Sequence, residues 1–309
     1  MTGPLRIATR ESPLALWQAN HVKALLERVH ASLIVDLVPM TTTGDRFLDT
    51  TLQQAGGKGL FVKELEQAIA ERRADIAVHS MKDVPVHLPQ GFALAAFLEA
   101  ADPRDAFVSA RFANVDALPH GARVGTASLR RQAQLKARRP DLVISELRGN
   151  VGTRLRKLDE GQFDAILLAC AGLDRLGFGE RIRVRFDVDQ FVPAIGQGVI
   201  GIECRDNDAA TRGLLAPLHS ASVATRLAAE RAMNARLGGA CHVPVAGHAR
   251  IRGNEIHLVG LVGSPDGAQI VRDEIRGDTE TSDALGLQLA EKLLARGAGE
   301  ILRTLGVKT

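Results

Sequence analysis

The sequence predicts an α/β fold with two lobes, followed by a small C-terminal α+β domain. Up to about residue 215, short apolar runs alternate with segments of helical period, which is typical of sheets built from strands and crossover helices. Beyond that point the pattern changes to one helix, three alternating strands and a last helix. With 309 residues, the chain is also long enough for more than one hydrophobic core.

The first lobe is expected to begin with a strand at residues 6–9 and a helix that starts after Ser12, since Ser12 is a favourable N-cap and Pro13 suits the first helical position. Residues 43–59 contain four glycines and have no clear period, so they are predicted to form a long loop of the kind that often serves as a lid. The other elements predicted here are a helix to about residue 30, a strand at 33–38, a helix at 60–72 and a strand at 75–79.

A second α/β lobe is predicted to start near residue 102. Ser128 is expected to cap a helix that ends before Pro140, and a strand at 199–203 is expected to return to the first lobe. Two crossings of this kind would create a hinge and a cleft. The remaining predictions are strands ending at 123–125, 143–146 and 165–169, a helix at 151–161 and a short helix from 173.

The C-terminal domain is predicted to open with a helix at 222–237, with Ser222 as its cap. Strands at 245–250, 255–262 and 269–276 and a final helix at 282–298 follow. The domain boundaries expected from the whole pattern are 1–98 with 199–216, 103–192, and 217–309.

Composition favours a globular protein of the cytoplasm. Hydrophobic residues make up 45% of the chain, charged residues 24%, and the net charge is +3. There is no apolar run of about 18 residues and no signal-peptide pattern, so neither a membrane span nor secretion is expected. Three cysteines make a disulfide framework improbable.

Basic residues cluster between residues 123 and 157, where ten Lys or Arg side chains face only two acidic ones. Several follow predicted strand-to-helix turns, where free N–H groups and the helix dipole favour anions. The pattern therefore indicates a ligand with several carboxylates. Two other interpretations stay open. One is a solvated basic face, above all for Lys136, Arg138, Arg139, Arg156 and Lys157. The other is a nucleic-acid surface, although residues 113–162 have no Phe, Trp or Tyr for base stacking.

Two further positions could carry chemistry. Cys241 lies among small residues after a helix, whereas Cys170 and Cys204 follow or lie within apolar runs and are interpreted as buried. Lys82 and Asp83 follow a predicted strand; they are either a surface ion pair or groups at a ligand crevice, with Asp83 facing a cation and Lys82 a carboxylate. No cysteine or histidine set has zinc spacing.

Taken together, these segments resemble the porphobilinogen deaminase family. The matching stretches occur in the order of the family and span most of the chain: RIATRESPLA at 6–15, GGKGLF at 56–61, HSMKDVP at 79–85, GTASLRR at 125–131, LRGNVGTR at 147–154, PAIGQG at 193–198 and ERAMNARLGGACHVP at 230–244. Two departures are Ala127, where Ser is frequent, and Ala240, where Gly is frequent.

The resemblance implies two α/β lobes similar to those of periplasmic binding proteins and a third domain whose cysteine, Cys241 here, holds a dipyrromethane cofactor by a thioether. It implies that Asp83 is the catalytic carboxylate. The positions that match cofactor- and substrate-binding residues of the family are Arg10, Ser12, Lys58, Phe61, Ser80, Lys82, Thr126, Ser128, Arg130, Arg131, Arg148, Arg154, Arg175 and Gln197.

The implied activity is the polymerisation of four porphobilinogen molecules, with loss of ammonia, into the linear tetrapyrrole hydroxymethylbilane. The resemblance further implies a cytoplasmic monomer that binds neither nucleic acid nor membrane and hands its product transiently to the next enzyme of tetrapyrrole synthesis. The main alternative is a non-catalytic two-lobed binding protein for a small polyanion, which explains the arginines but gives Cys241 no role.

Overall fold

The computed structural model describes residues 3–43, 62–238 and 243–307. The chain divides into two compact units, Met1–Ala101 with Val199–Ala224 and Asp102–Gly198 with Thr225–Thr309. The second unit contains two sheets. One lies within Asp102–Gly198 and the other within Thr225–Thr309. The three-domain boundaries expected from the sequence stay a prediction.

The strands in chain order are β1 (Leu5–Arg10), β2 (Val35–Met40), β3 (Ile76–Ser80), β4 (Phe92–Phe97), β5 (Asp105–Val108), β6 (Arg123–Gly125), β7 (Val143–Ser145), β8 (Ala165–Ala169), β9 (Val184–Arg185), β10 (Ile200–Arg205), β11 (Val245–Arg252), β12 (Glu255–Gly263) and β13 (Ile270–Asp278). The α-helices are α1 (Pro13–Val29), α2 (Lys63–Ala70), α3 (Leu129–Arg138), α4 (Val151–Asp159), α5 (Cys170–Arg175), α6 (Ala209–Leu215), α7 (Ala221–Arg236), α8 (Ser282–Leu293) and α9 (Gly299–Thr304).

The sheet of the first unit has the order β2-β1-β3-β10-β4. Strand β1 is parallel to β2 and β3, whereas β10 is antiparallel to both β3 and β4. The predicted return of the strand at 199–203 to the first lobe is confirmed by β10, and the sheet is mixed because β10 runs antiparallel to both of its neighbours. Helix α1 begins as predicted, with Ser12 accepting a bond from the Ala15 N–H and Pro13 in the first turn.

Two buried glutamates, Glu66 and Glu203, lie in the core of this unit. His79 on β3 bonds Glu203 on β10 at 2.8 Å, and both side chains are buried. Glu66 on α2 is also buried, and its Oε1 has no hydrogen-bond partner among the described residues. Burial, and next the charge of Glu203, raise the pKa of Glu66 to about 7, so Glu66 carries a proton in slightly acidic solution.

The first sheet of the second unit has the order β7-β6-β8-β5-β9. Strand β6 is parallel to β7 and β8, and β5 is antiparallel to β8 and β9. The carboxyl ends of β6, β7 and β8 therefore lie at one edge, and each leads towards a helix that begins close by: α3, α4 and α5. Strands β4, β5 and β9 had not been predicted.

The C-terminal part of the second unit has an antiparallel sheet, β11-β12-β13, whose core includes Met233, Leu258 and Leu289. The predicted cap Ser222 is wrong: Ser220 is the capping residue, since its hydroxyl accepts from Val223 N–H and its carbonyl from Ala224 N–H. The last predicted helix is also interrupted, because Gly297 adopts φ +100° between α8 and α9.

Within the part of the chain that the structure describes, no helix is both long enough and apolar enough to cross a membrane.

Glu66→Gln should stabilise the protein at alkaline pH. The stability that protonated Glu66 contributes is fully present below its ordinary pKa of 4.5 and is lost as pH rises to about 7, where the buried carboxyl ionises. Glutamine never ionises, so the gain over wild type should grow by about 2 kcal/mol between pH 5 and pH 8 in chemical denaturation. Glu71→Gln, at the exposed end of the same helix, is the control. A gain that does not change with pH would contradict the burial argument.

Candidate functional site

The first group of predicted site residues lies at the carboxyl edge of the parallel strands β1 and β3, and we call it the first-unit group: Arg10, Ser12, Ser80, Lys82 and Asp83. Arg10 and Ser80 are the last residues of these neighbouring strands. Ser80 accepts a 2.8 Å hydrogen bond from Nε2 of the buried Gln18 on α1. The structure thus brings these residues to one edge of one sheet, as expected for a ligand crevice.

Lys82 and Asp83 are part of a 3₁₀ turn, Met81–Asp83, that follows β3 directly. The Met81 N–H donates to the Val199 carbonyl at 3.0 Å, and the Met81 side chain is buried over Gly201. A Cβ at Gly201 would collide with the Met81 sulfur, so a side chain at residue 201 would force Met81 to move. The turn is therefore fixed from beneath, while the Asp83 side chain is exposed.

The second group lies at the carboxyl edge of β6, β7 and β8, and we call it the second-unit group: Thr126, Ser128, Arg130, Arg131, Arg148, Arg154, Arg175 and Gln197. Thr126 follows β6 and its hydroxyl accepts from the Ser128 N–H at 3.1 Å. Ser128 in turn caps α3 by accepting from the Arg131 N–H at 3.4 Å. These two hydrogen bonds fix the first turn of the helix that carries both arginines.

Arg130 and Arg131 both bind one carboxylate, that of Asp105. Arg130 donates through Nη1 to Oδ2 at 2.7 Å and through Nη2 to Oδ1 at 3.1 Å, and Arg131 donates through Nε to Oδ1 at 2.8 Å. Asp105 is 0% exposed, Arg130 4% and Arg131 6%. Backbone carbonyls of Val192 and Leu167 accept further bonds from the two guanidinium groups.

Asp105 and Arg130 both have shifted pKa values. Burial by itself would raise the pKa of Asp105, but the charges and hydrogen bonds of Arg130 and Arg131 outweigh burial and hold it well below its ordinary value. Burial lowers the pKa of Arg130, against the opposing effect of Asp105. The cluster is therefore ionised, with two positive charges and one negative charge.

Arg148 and Arg154 flank a tight turn between β7 and α4. Arg148 bonds Glu146 at 2.6 Å, and Arg154 donates to the Gly149 carbonyl at 2.7 Å. Asn150 caps α4 by accepting from the Thr153 N–H at 2.9 Å. Gly149 has φ +111°, and a Cβ there would lie 2.7 Å from Thr153, so the turn requires glycine.

Arg175 and Gln197 connect the edge to the segment at 193–198. Arg175 donates to the Gly198 carbonyl at 2.8 Å, and burial lowers the pKa of Arg175 to about 10. Gln197 Nε2 donates to the Pro103 carbonyl at 2.6 Å and to Asp105 Oδ1 at 3.2 Å. Gln197 Oε1 is buried and has no hydrogen-bond partner among the described residues.

The segment at 193–198 is also bound by a residue of α7. The buried carboxylate of Glu230 on α7 accepts from the Gly196 N–H and from the Ala249 N–H, both at 2.8 Å. Burial raises the pKa of Glu230 to about 7, against these two bonds. Glu230 and Asp105 are thus structural members of the site that the sequence argument missed. For Asp105 the available signal was an acidic residue at the start of an apolar run.

The basic residues further along α3 and α4 lie outside this arrangement. Arg138, Arg139 and Arg156 pair with Asp116, Asp141 and Glu160. Lys136 donates to the carbonyls of Pro140 and Leu142, and Lys157 to that of Arg148. These contacts show basic side chains that bind acidic groups and carbonyls of their own chain, whereas the alternative left open by the sequence was a solvated basic face.

Three predicted site residues, Lys58, Phe61 and Cys241, lie outside the described residues. The other two cysteines, Cys170 and Cys204, are buried as expected. Among the described residues, no group of three or more His, Cys, Asp or Glu side chains is arranged to hold a metal ion.

Comparison with known families shows the family to which this chain belongs. A family model for the porphobilinogen deaminase dipyromethane cofactor binding domain matches residues 5–213, and a model for the porphobilinogen deaminase C-terminal domain matches residues 224–295. The chain belongs to the porphobilinogen deaminase family. Its activity is accordingly that of a hydroxymethylbilane synthase, a transferase of tetrapyrrole and heme synthesis that polymerises porphobilinogen and uses a dipyrromethane cofactor.

Solved structures similar to this member of the family include binding-protein domains at low sequence identity. A VFT2 domain of Bordetella pertussis BvgS is 18% identical, with a TM-score of 0.42 over 74% of this chain and 91% of that chain. A putative methionine-binding lipoprotein from Bacillus subtilis is 12% identical, with a TM-score of 0.44 over 71% of this chain and 92% of that chain.

Gly149→Ala should damage the turn that carries Arg148 and Arg154. The new Cβ meets Thr153 at 2.7 Å in a left-handed backbone conformation, so we expect a loss of roughly 1–3 kcal/mol and a raised KM for porphobilinogen. Gly161→Ala is the matched control, because Gly161 has φ +73° but no atom within 4 Å of the new Cβ. Thermal unfolding and steady-state kinetics check the pair. Equal effects of both substitutions would show that the Thr153 contact is unimportant.

Proposed function

We propose that the second-unit group binds the carboxylates of the pyrrole units during the polymerisation. Each porphobilinogen carries an acetate and a propionate, and guanidinium groups bind carboxylates in paired, charge-assisted hydrogen bonds. The observation that carries this proposal is the placement of Arg130, Arg131, Arg148, Arg154 and Arg175 along one strand edge and its adjoining helices. Thr126, Ser128 and Gln197 add hydroxyl and amide groups at the same edge.

In the first-unit group, Asp83 is the proposed catalytic residue. Loss of ammonia from porphobilinogen and attack on the resulting electrophile both place positive charge on a pyrrole ring. A carboxylate that accepts the pyrrole N–H stabilises that charge and can move a proton. The exposure of Asp83 on a turn fixed through Met81 and Val199 supports this role. Arg10, Ser12, Ser80 and Lys82 are proposed to orient the substrate carboxylates beside it.

The chemistry of the donor set fits the dipyrromethane cofactor, whose acetate and propionate groups match the arginines of the second-unit group. When bound, the cofactor supplies the pyrrole carbon to which the first substrate is joined. We propose Cys241 as its point of attachment, five residues beyond the end of α7 at Arg236. Burial raises the pKa of Cys170 to about 12 and also raises the pKa of Cys204, so neither thiol is a ready nucleophile.

Several finer aspects of the function are also proposed. Lys58 and Phe61 belong to or adjoin the segment 43–59, which would shield the reactive intermediate from water. The protein is proposed to act in the cytoplasm as a monomer that binds neither nucleic acid nor membrane, with transient hand-over of hydroxymethylbilane to the next enzyme of the sequence.

Cys241→Ser should abolish the covalent cofactor. Intact-protein mass spectrometry of the wild type should show an excess equal to one dipyrromethane, and the variant should show none, because a serine hydroxyl is a much weaker nucleophile than a thiolate. Cys204→Ser is the control and should retain the excess. If the wild type stays unmodified after incubation with porphobilinogen, the proposed attachment site is wrong and the alternative of a non-catalytic binding protein for a small polyanion is favoured.

Asp83→Asn should keep the cofactor but lose most turnover, since the amide has no negative charge to stabilise the cationic ring. We expect kcat to fall by a factor of about 100 or more, which is typical of the loss of a charge that acts on the reacting group. Single-turnover assays on loaded protein measure this loss. Asp116→Asn, at the exposed partner of Arg138, is the control. Turnover within a fewfold of wild type would remove Asp83 from the mechanism.

A further inference from the structure

The cluster of Asp105, Arg130, Arg131 and Gln197, here the Asp105 cluster, is built around a carboxylate with too few acceptor sites. Oδ1 of Asp105 receives Arg130 Nη2, Arg131 Nε and Gln197 Nε2, at 3.1, 2.8 and 3.2 Å. A carboxylate oxygen has two lone-pair directions, so three donors compete for it. The guanidinium groups therefore have more donors than Asp105 alone can satisfy well, and the carbonyls of Val192 and Leu167 accept one bond from each group.

Charge gives the same result as the count of donors. Two guanidinium groups and one carboxylate leave a formal charge of +1 in a cluster whose members are almost fully buried. An unbalanced buried charge is costly, and a second carboxylate within reach of the same guanidinium groups is favoured. The charge of the cluster therefore favours the binding of one further carboxylate.

The position of Asp105 in the fold explains why both arginines face the strand edge. Asp105 opens β5 and pairs in register with Ala169, the last residue of β8. Its carboxylate therefore lies at the carboxyl edge of β6 and β8, directly beside the first turn of α3. Arg130 and Arg131 are consecutive on that helix, so their side chains would leave it in directions about 100° apart if nothing drew them together.

Resting on the function proposed above, we propose that Asp105 is a positioning residue that holds Arg130 and Arg131 together as one binding unit for a single pyrrole carboxylate. Asp105 does not touch the substrate. It orients both guanidinium groups and cancels one of their two charges. The unit then accepts one acetate or propionate group and has no charge left for a second.

The main test compares Asp105→Asn with Asp102→Asn by steady-state kinetics on cofactor-loaded protein. Asp102 also pairs with two arginines, Arg104 and Arg185, but with neither arginine of the Asp105 cluster. For Asp105→Asn we expect KM for porphobilinogen to rise about tenfold, as for one charge-assisted hydrogen bond, with kcat within about threefold. Both substitutions should lower the thermal unfolding midpoint, but Asp102→Asn should leave KM unchanged.

The outcomes separate the two proposals. An Asp105→Asn variant with wild-type KM, or with a loss confined to kcat, would overturn the positioning role. The proposed function would still stand in that case if the wild-type protein turns over porphobilinogen. A wild type that neither carries dipyrromethane nor turns over porphobilinogen would overturn both. Loss of dipyrromethane from Asp105→Asn, with Asp102→Asn fully loaded, would support the role, since the same arginines are proposed to hold the cofactor.

A double variant covers the case in which Asp105→Asn does not fold. Asp105→Asn combined with Arg130→Gln removes one charge of each sign, so the formal charge of the cluster stays at +1 and no second buried cation is left unpaired. Its KM should be at least about threefold above that of Arg130→Gln alone, because Arg131 has lost the carboxylate that orients it. Equal KM values for these two variants would show that Asp105 does nothing for Arg131 and would overturn the proposal.

Discussion

The arrangement of the second unit depends on the neutralisation of one buried carboxylate. Asp105 is fully buried at the start of β5, and it is ionised because two guanidinium groups reach it. Removing one partner of such a buried pair costs roughly 3–5 kcal/mol, since the remaining charge stays in the protein interior. The first turn of α3 and the Gln197 side chain are therefore fixed by the same requirement. Groups proposed to bind the substrate are in this way part of the core.

A second buried carboxylate extends this dependence to the C-terminal sheet. Glu230 accepts the N–H groups of Gly196 and Ala249, so the turn that carries Gln197 is attached to α7 and to β11. Gln197 then contacts Asp105, and the Gly198 carbonyl accepts from Arg175. A displacement of α7 would therefore move the turn at Gly196–Gly198 and, through Gln197 and the Gly198 carbonyl, change the contacts of Asp105 and Arg175. Helix α7 also precedes Cys241, the proposed attachment point of the cofactor, by five residues in the chain.

The sequence predicted elements whose signals are local. Ser12 and Ser128 cap their helices as expected, and the strand after residue 198 returns to the first unit. Capping depends on residues three positions apart, so a short window of sequence contains the whole signal. The Ser222 prediction failed because two serines in sequence can each serve, and the packing of the helix decides between them. The Asp105 contacts join residues 25, 26 and 92 positions apart, which no local pattern reveals.

The buried counter-ion Asp105 also bears on how arginines and the proposed catalytic carboxylate can act in one protein. The reaction needs positive groups for the substrate carboxylates and a negative group for the charge that develops on the ring. Guanidinium groups without a counter-ion would attract any accessible carboxylate, and a carboxylate paired in this way would be less able to stabilise a cationic pyrrole ring. Asp105 cancels one of the two positive charges of Arg130 and Arg131 inside the second unit, where its carboxylate is fully buried. Asp83, the proposed catalytic carboxylate, is exposed on its own turn in the first unit, so its charge is available to a cationic ring.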